Sequence, residues 1–235
     1  MKLTTAISTF SKTKTFYSIE DLRDYLSSSG ISFTGNSLKN TLARLKRQGM
    51  IYSSGRGYYS SIKNEVVLDR EKLIPMKKRL VDKYPFLPFS LWSTSQIAFA
   101  YQHVPIVHAT FISSEKDTLT SLKDFLNSQG FRAFDNPGKS EIEKYFQIES
   151  NTIVLRPWVT RQKNQDYFAT IETILIDLYI ESQRLHLMDL AEYQRILKYF
   201  LTHYRLNLSY LFDYADRRKV RPEIAQFAKM YTNAN

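Results

Sequence analysis

Nine side chains in one basic segment are of the types that read or grip nucleic acid. Asn36, Ser37, Lys39, Asn40 and Arg44 are followed by Lys46 and Arg47, and then by Arg56 and Tyr58. Asparagine matches adenine N6/N7 in bidentate fashion and arginine matches guanine O6/N7. Lysine and arginine near a helix end grip phosphates and displace their counterions. The pattern therefore points to double-stranded DNA. Asn36, Ser37, Lys39, Asn40 and Arg44 are the groove-facing candidates, and Lys46 and Arg47 the phosphate contacts. Arg56, between Gly55 and Gly57, is placed to reach a neighbouring minor groove or the backbone. Tyr58 and Tyr59 alternate faces on a strand, so one belongs to the core and only one is available to DNA. A solvated basic helix has the same composition. What favours recognition is that cap, helix, turn and charge agree.

The elements that must hold these residues are legible around them. Leu38, Leu42 and Leu45 recur at helical spacing, which predicts a helix over 36–48 with one apolar face, capped by Thr34 or Asn36 and closed by Gly49. Met50–Tyr52 and Tyr58–Ser60 read as two short strands across a polar, glycine-containing turn. Upstream, Leu3, Ala6, Ile7 and Phe10 give a first short helix. Ser18-Ile19-Glu20-Asp21 is a capping box opening a second helix through Leu22, Tyr25 and Leu26, stopped at Ser27–Gly30. Ile31–Phe33 is a short strand or a packed turn. Three helices and a β-ribbon with a basic tip make a winged helix-turn-helix over 1–63.

Charge is concentrated in the same stretch. Residues 1–63 hold ten Lys/Arg against three Asp/Glu, a net of +7, whereas the other 172 residues contribute only +3 of the chain's +10. A field so localised attracts phosphate backbones. With 235 residues the chain suits two domains. It has no cysteine, which excludes disulfides, thiolate zinc sites, iron–sulfur clusters and a cysteine nucleophile. The N-terminus has no sustained apolar region, and no run approaches the ~18 apolar residues of a spanning helix. A soluble, cytoplasmic protein without a membrane partner is expected.

The boundary is placed at 64–88, a linker helix and proline-rich lead-in. Glu65–Leu68 is read as a strand. Lys72–Lys83 is a basic helix that either extends the phosphate contact through Lys77, Lys78 and Arg79 or is a solvated linker. Tyr84-Pro85-Phe86-Leu87-Pro88-Phe89 is extended and rigid. Residues 89–235 are expected to form a mixed α/β domain ending in a helical bundle, so that the fold class is α+β. Its elements are a helix from Ser90 or Ser93 through Tyr101, a strand over 106–112, a helix over 118–130, strands at 131–134 and 153–156, and helices at 168–182, 189–204, 208–216 and 222–231. Trp92 and Trp158 read as packing anchors.

Catalytic signatures are scarce. No P-loop, dinucleotide fingerprint, nucleophile elbow or H-E-x-x-H occurs. His103, His108, His186 and His203 lack metal-ligand spacing, and no Asp or Glu is followed at +2 by Lys. Two acidic pairs, Asp69/Glu71 and Glu115/Asp117, stand at expected strand ends in the manner of a two-metal site, but without a Gly-Ser phosphate-holding turn upstream. No catalytic residue, metal or cofactor is assigned.

The segment ending in Gly55-Arg56-Gly57-Tyr58-Tyr59 resembles the DNA-binding domain of AbiEi-type antitoxins of bacterial abortive-infection systems. Leu91-Trp92-Ser93-Thr94 is similar to the start of that family's C-terminal domain, and Ala169–Leu178 to its later helix. A glycine turn expected near Tyr101–Pro105 is missing. The resemblance implies a transcriptional autorepressor binding inverted repeats in its own promoter. It also implies an antitoxin to a nucleotidyltransferase-type toxin, with no stable complex assumed. Two alternatives stand beside it: a ligand-responsive winged-helix regulator, and a metal-dependent nucleic-acid enzyme. The late cluster Arg217, Arg218, Lys219 and Arg221 suits contact with RNA, DNA or the toxin, or else compensates a helix end.

Overall fold

The computed structural model describes residues 2–103 and 107–232. In chain order its elements are α1 (Leu3–Lys12), β1 (Phe16–Ser18), α2 (Ile19–Ser28), α3 (Gly35–Arg47), β2 (Tyr52–Ser53), β3 (Tyr58–Ser60), α4 (Ile74–Lys83), β4 (Phe89–Ser93), β5 (Thr110–Ser114), α5 (Leu119–Ser128), β6 (Arg132–Asp135), α6 (Lys139–Tyr145), β7 (Thr152–Pro157), β8 (Asn164–Gln165), β9 (Phe168–Ala169), α7 (Ile171–Leu185), α8 (Leu190–His203), α9 (Leu208–Arg217) and α10 (Arg221–Tyr231). The protein is thus a mixed α and β structure. Its contacts divide it into two units. One joins Met1–Val66 to Ile196–Asn235, and the other is Val67–Arg195.

The first unit is built from local signals. Ser18 and Asp21 form the expected capping box, each satisfying the other's backbone N–H, and Thr34 and Ser37 do the same at α3. Gly49 closes α3 at φ +66°. Leu38, Leu42 and Leu45 are buried with Ala6, Ile7 and Phe10 of α1, Leu22 and Leu26 of α2, and Ile51. Beneath them lies a three-stranded antiparallel sheet in the order β1-β3-β2. The sequence predicts a strand or turn at Ile31–Phe33. That stretch is irregular, and Phe16–Ser18 supplies the third strand, with Tyr17 facing Tyr59 across the pair.

The second unit is a six-stranded mixed sheet in the order β6-β7-β5-β4-β9-β8. β5, β6 and β7 run parallel, and β4 is antiparallel to β5 but parallel to β9. Phe89, Leu91, Ile112, Ala133, Ile153, Leu155 and Phe168 face α4 and α5, whose Met76, Leu80, Leu119, Leu122 and Leu126 complete that core. On the other face Trp92 stacks on Phe111 at 4.3 Å, and Arg156 of β7 is tied to α7. Strand alternation separates the two sets.

Several expected elements differ. Leu91 and Trp92 do not open a helix. They lie in β4, paired on both sides and buried, and Ser93 instead caps a 3-10 turn at Thr94–Ala100. Glu65–Leu68 forms no strand, and β5 begins at Thr110. Val104, Pro105 and Ile106, where a turn and the start of that strand are expected, lie outside the described residues. The continuous body expected over 89–235 is divided, since Ile196–Asn235 clusters with the N-terminal segment.

Arg156 and Glu181 form a bidentate ion pair with bonds of 2.9 and 2.6 Å, their side chains 6% and 1% exposed. Arg156 also donates to Asn136 Oδ1 at 3.0 Å. Removing one partner of such a pair strands a buried charge, while replacing both with apolar groups is close to neutral. Glu181→Ala is therefore expected to destabilise the second unit by about 3–5 kcal/mol. Arg156→Met combined with Glu181→Leu should recover most of that loss in urea unfolding.

Candidate nucleic-acid interface

At 3.6 residues per turn, burial of Leu38, Leu42 and Leu45 decides what α3 presents. Asn36, Asn40, Ala43 and Arg47 lie on the opposite side with Lys39 beside them, and all five are exposed. Lys46 lies on one flank and Arg44 on the other. Two groove-facing candidates have other bonds. The Ser37 hydroxyl accepts from Thr34 N–H at 2.8 Å and donates to the Thr34 carbonyl at 3.0 Å, so it serves the helix cap. The Arg44 guanidinium donates to Thr4 Oγ1 of α1, which holds it against the neighbouring helix. Arg47, expected only as a phosphate contact, sits in the middle of the outward face. Ala43 was not singled out by residue type. Its small side chain lets a partner approach the helix backbone, and the 36-40-43-47 spacing was the available signal.

The β2–β3 turn is less open than its glycines suggest. Gly55 has φ +97°, and a Cβ built there would collide with the Asn207 side chain and Ser209 Cβ at the start of α9. Ser209 N–H donates to the Ser54 carbonyl at 3.3 Å. Tyr58 is half-buried, its ring 5.7 Å from that of Phe212, while Tyr59 stacks on Tyr17 at 5.7 Å. Neither tyrosine is thus a free contact group. Arg56 is exposed at the tip. The close approach that Gly55 permits is made to α9 of the same unit.

The C-terminal helices fasten elsewhere too. Thr15 donates through N–H and hydroxyl to the Thr232 carbonyl, at 2.9 and 3.1 Å. Arg205 pairs with Glu65, lies 5.0 Å from the Tyr52 ring, and donates from its backbone to the Asn64 carbonyl. This association changes the electrostatic picture. The first unit holds seventeen Lys/Arg against seven Asp/Glu, a net of +10, and the second holds sixteen of each. All of the chain's net positive charge therefore belongs to the unit that carries α3.

A cleft of about 590 Å³ opens within the first unit, lined by Phe10, Tyr17, Tyr58 and Phe212 with Asp24 and Lys229 among its polar groups. A second, of about 600 Å³, lies in the other unit beside Asn136, Lys139, Arg156, Arg184 and His186. The acidic pairs do not build a metal centre. Asp69 Oδ1 accepts from Glu71 N–H, and Glu115 and Asp117 are exposed around a 3-10 turn. Among the described residues no three His, Asp or Glu side chains gather as metal ligands, and no helix is long and apolar enough to cross a membrane. His108 Nδ1 lies 3.1 Å from Thr94 Oγ1, and burial, with Lys72 nearby, lowers its pKa.

A chain with a confined basic unit and an exposed polar helix face on a mixed α and β frame is a candidate nucleic-acid binder by geometry. The model of a family of unknown function (DUF6577) matches residues 37–234, and the chain belongs to that family. A comparison with curated proteins returns no match.

Two measurements test the architecture of this face. Gly55→Ala should lower the stability of the first unit by about 1–3 kcal/mol, through a disfavoured φ and the collision with α9. Gly30→Ala, at φ +67° with nothing near its Cβ position, should cost less. Burial pushes the Tyr17 hydroxyl up to about 12, against a lowering hydrogen bond from Ser11. A tyrosine whose folded pKa is raised contributes stability below its ordinary value of 10 and loses it as pH rises toward 12. The unfolding free energy from urea titration should fall across that window by no more than about 3 kcal/mol, and Tyr17→Phe should remove that part of the fall.

Proposed function

We propose that the protein is a sequence-specific, double-stranded-DNA-binding autorepressor whose first 63 residues form a winged helix-turn-helix. The observation that carries this reading is the outward face of α3, with Asn36, Lys39, Asn40, Ala43 and Arg47 exposed on the unit that holds the whole +10. In the major groove Asn36 and Asn40 read adenine edges, Arg47 takes guanine or phosphate, and Lys39 and Lys46 bind the backbone. Arg56 reaches DNA from the turn, which α9 supports from behind. No reaction is assigned to the chain.

The resemblance to AbiEi-type antitoxins extends the proposal. The operator is an inverted repeat in the gene's own promoter, and the protein counteracts a nucleotidyltransferase-type toxin in the cytoplasm without forming a stable complex. Growth rescue on co-expression with such a toxin encoded beside it tests that part separately. A ligand-responsive regulator is the second reading. It is favoured by the 590 Å³ aromatic cleft, whose size and lining suit a small molecule and whose wall includes Tyr58 of β3.

The test is binding of the full chain to its own upstream DNA and to scrambled DNA over a salt series. Preference for the upstream fragment should persist as salt rises. Asn40→Ala should relax discrimination by about 1–3 kcal/mol, and Lys39→Ala should weaken both fragments alike and lower the salt slope by about 1. Equal affinity for the two fragments in the parent chain would reject sequence-specific repression.

A further inference from the structure

The C-terminal helices do more than close the fold. We infer that the turn joining α9 to α10 is a second phosphate-binding element, through which Lys219 and Arg221 extend the DNA footprint of α3 and the β2–β3 turn. The inference rests on the DNA-binding reading above and adds a contact that lies some 170 residues further along the chain.

The Arg221 guanidinium lies 5.8 Å from the Phe212 ring centroid, and Phe212 lies 5.7 Å from Tyr58. Tyr58 directly follows the Gly55–Gly57 tip, whose inner side rests on Asn207 and Ser209. These links put Arg221 beside the base of the turn that carries Arg56. The aromatic ring holds the guanidinium plane while leaving its N–H groups available for an anion.

Exposure and pairing separate Lys219 and Arg221 from their neighbours. Arg217 is bound to Asp213 at 2.7 Å, and Arg217 and Arg218 are both half-buried. Lys219 and Arg221 are exposed, and among the described residues neither is in an ion pair. Lys219 has φ +60°, a left-handed conformation uncommon for lysine, which turns the chain between the two helices. A cation that only compensates a helix end has no need to stand beside another basic tip. Arg221 near the base of the turn that carries Arg56, with Lys219 two residues before it, adds two exposed cations without an ion pair to a unit of +10, a charge that suits a polyanionic backbone.

Lys219→Ala combined with Arg221→Ala in the full chain tests this directly, because both side chains are exposed and their loss leaves the core intact. The double variant should bind upstream and scrambled DNA more weakly by the same factor, with a salt slope smaller by about 2 than that of the parent. Lys116→Ala with Lys144→Ala removes two exposed cations from the other unit and should leave the slope unchanged. A double variant at 219 and 221 that keeps the parental slope and affinity overturns the inference while the reading of α3 stands. So does a control pair that lowers the slope equally, since net charge alone would then be responsible. If the parent chain binds neither fragment, the DNA-binding reading itself falls and this element falls with it.

Discussion

The first unit depends on a close approach that only glycine allows. At residue 55 the β2–β3 turn comes so near Asn207 and Ser209 that a methyl group would not fit. That contact sets the start of α9 against the turn, and Phe212 of the same helix lies 5.7 Å from Tyr58. It also makes a compact body from two pieces of chain separated by the whole of the second unit. Closing so long a loop costs entropy, but the cost grows only as the logarithm of length. The gain is burial for a three-stranded sheet whose strands have only two or three residues each. So small a sheet is marginal without a covering layer.

The same association resolves the distribution of charge. Taken as a continuous N-terminal domain, residues 1–63 account for +7 and leave +3 scattered elsewhere. With residues 64–66 and Ile196–Asn235 included, the remainder becomes neutral. The second unit also pairs its most deeply placed ions, as Arg156 and Glu181 show. Such a unit exerts little long-range force on a polyanion. The first attracts one, and salt screens that attraction over about 10 Å at 0.1 M.

What was legible in the sequence was what local chemistry decides. The capping boxes at Ser18 and Thr34, the apolar series Leu38-Leu42-Leu45 and the left-handed stop at Gly49 depend on residues within a turn or two of one another. The helices from 171 onward were likewise visible in their period. Pairings between distant segments were not. Phe16–Ser18 is too short to announce a strand and becomes one by meeting Tyr58–Ser60. Ser93 with Gln96 is a true capping box, but it starts a 3-10 turn, and the two residues before it belong to a central strand. A start signal says nothing about the element it ends. In the candidate site, residue types selected Asn36, Lys39, Asn40 and Arg56 and missed Ala43. They also chose Ser37 and Arg44, whose commitments to Thr34 and Thr4 are contacts in space.

Tyr58 shows why the site cannot be divided at residue 63. Its ring meets Phe212 and lines the cleft, and its backbone opens the central strand β3 opposite Ser18. Truncating the chain after β3 would expose one side of that sheet and release the turn from α9. The cleft wall and the support of the basic tip thus both draw on α9, through Phe212 for the one and Asn207 and Ser209 for the other. Tyr58 and Phe212 are both part of the cleft lining. Any difference in a ligand's affinity between the docked and released turn must appear as an equal difference in the turn's equilibrium, because linkage is reciprocal. Under the two readings proposed, DNA at the tip and a ligand in the cleft are coupled wherever Tyr58 moves, and independent only if it stays beside Phe212.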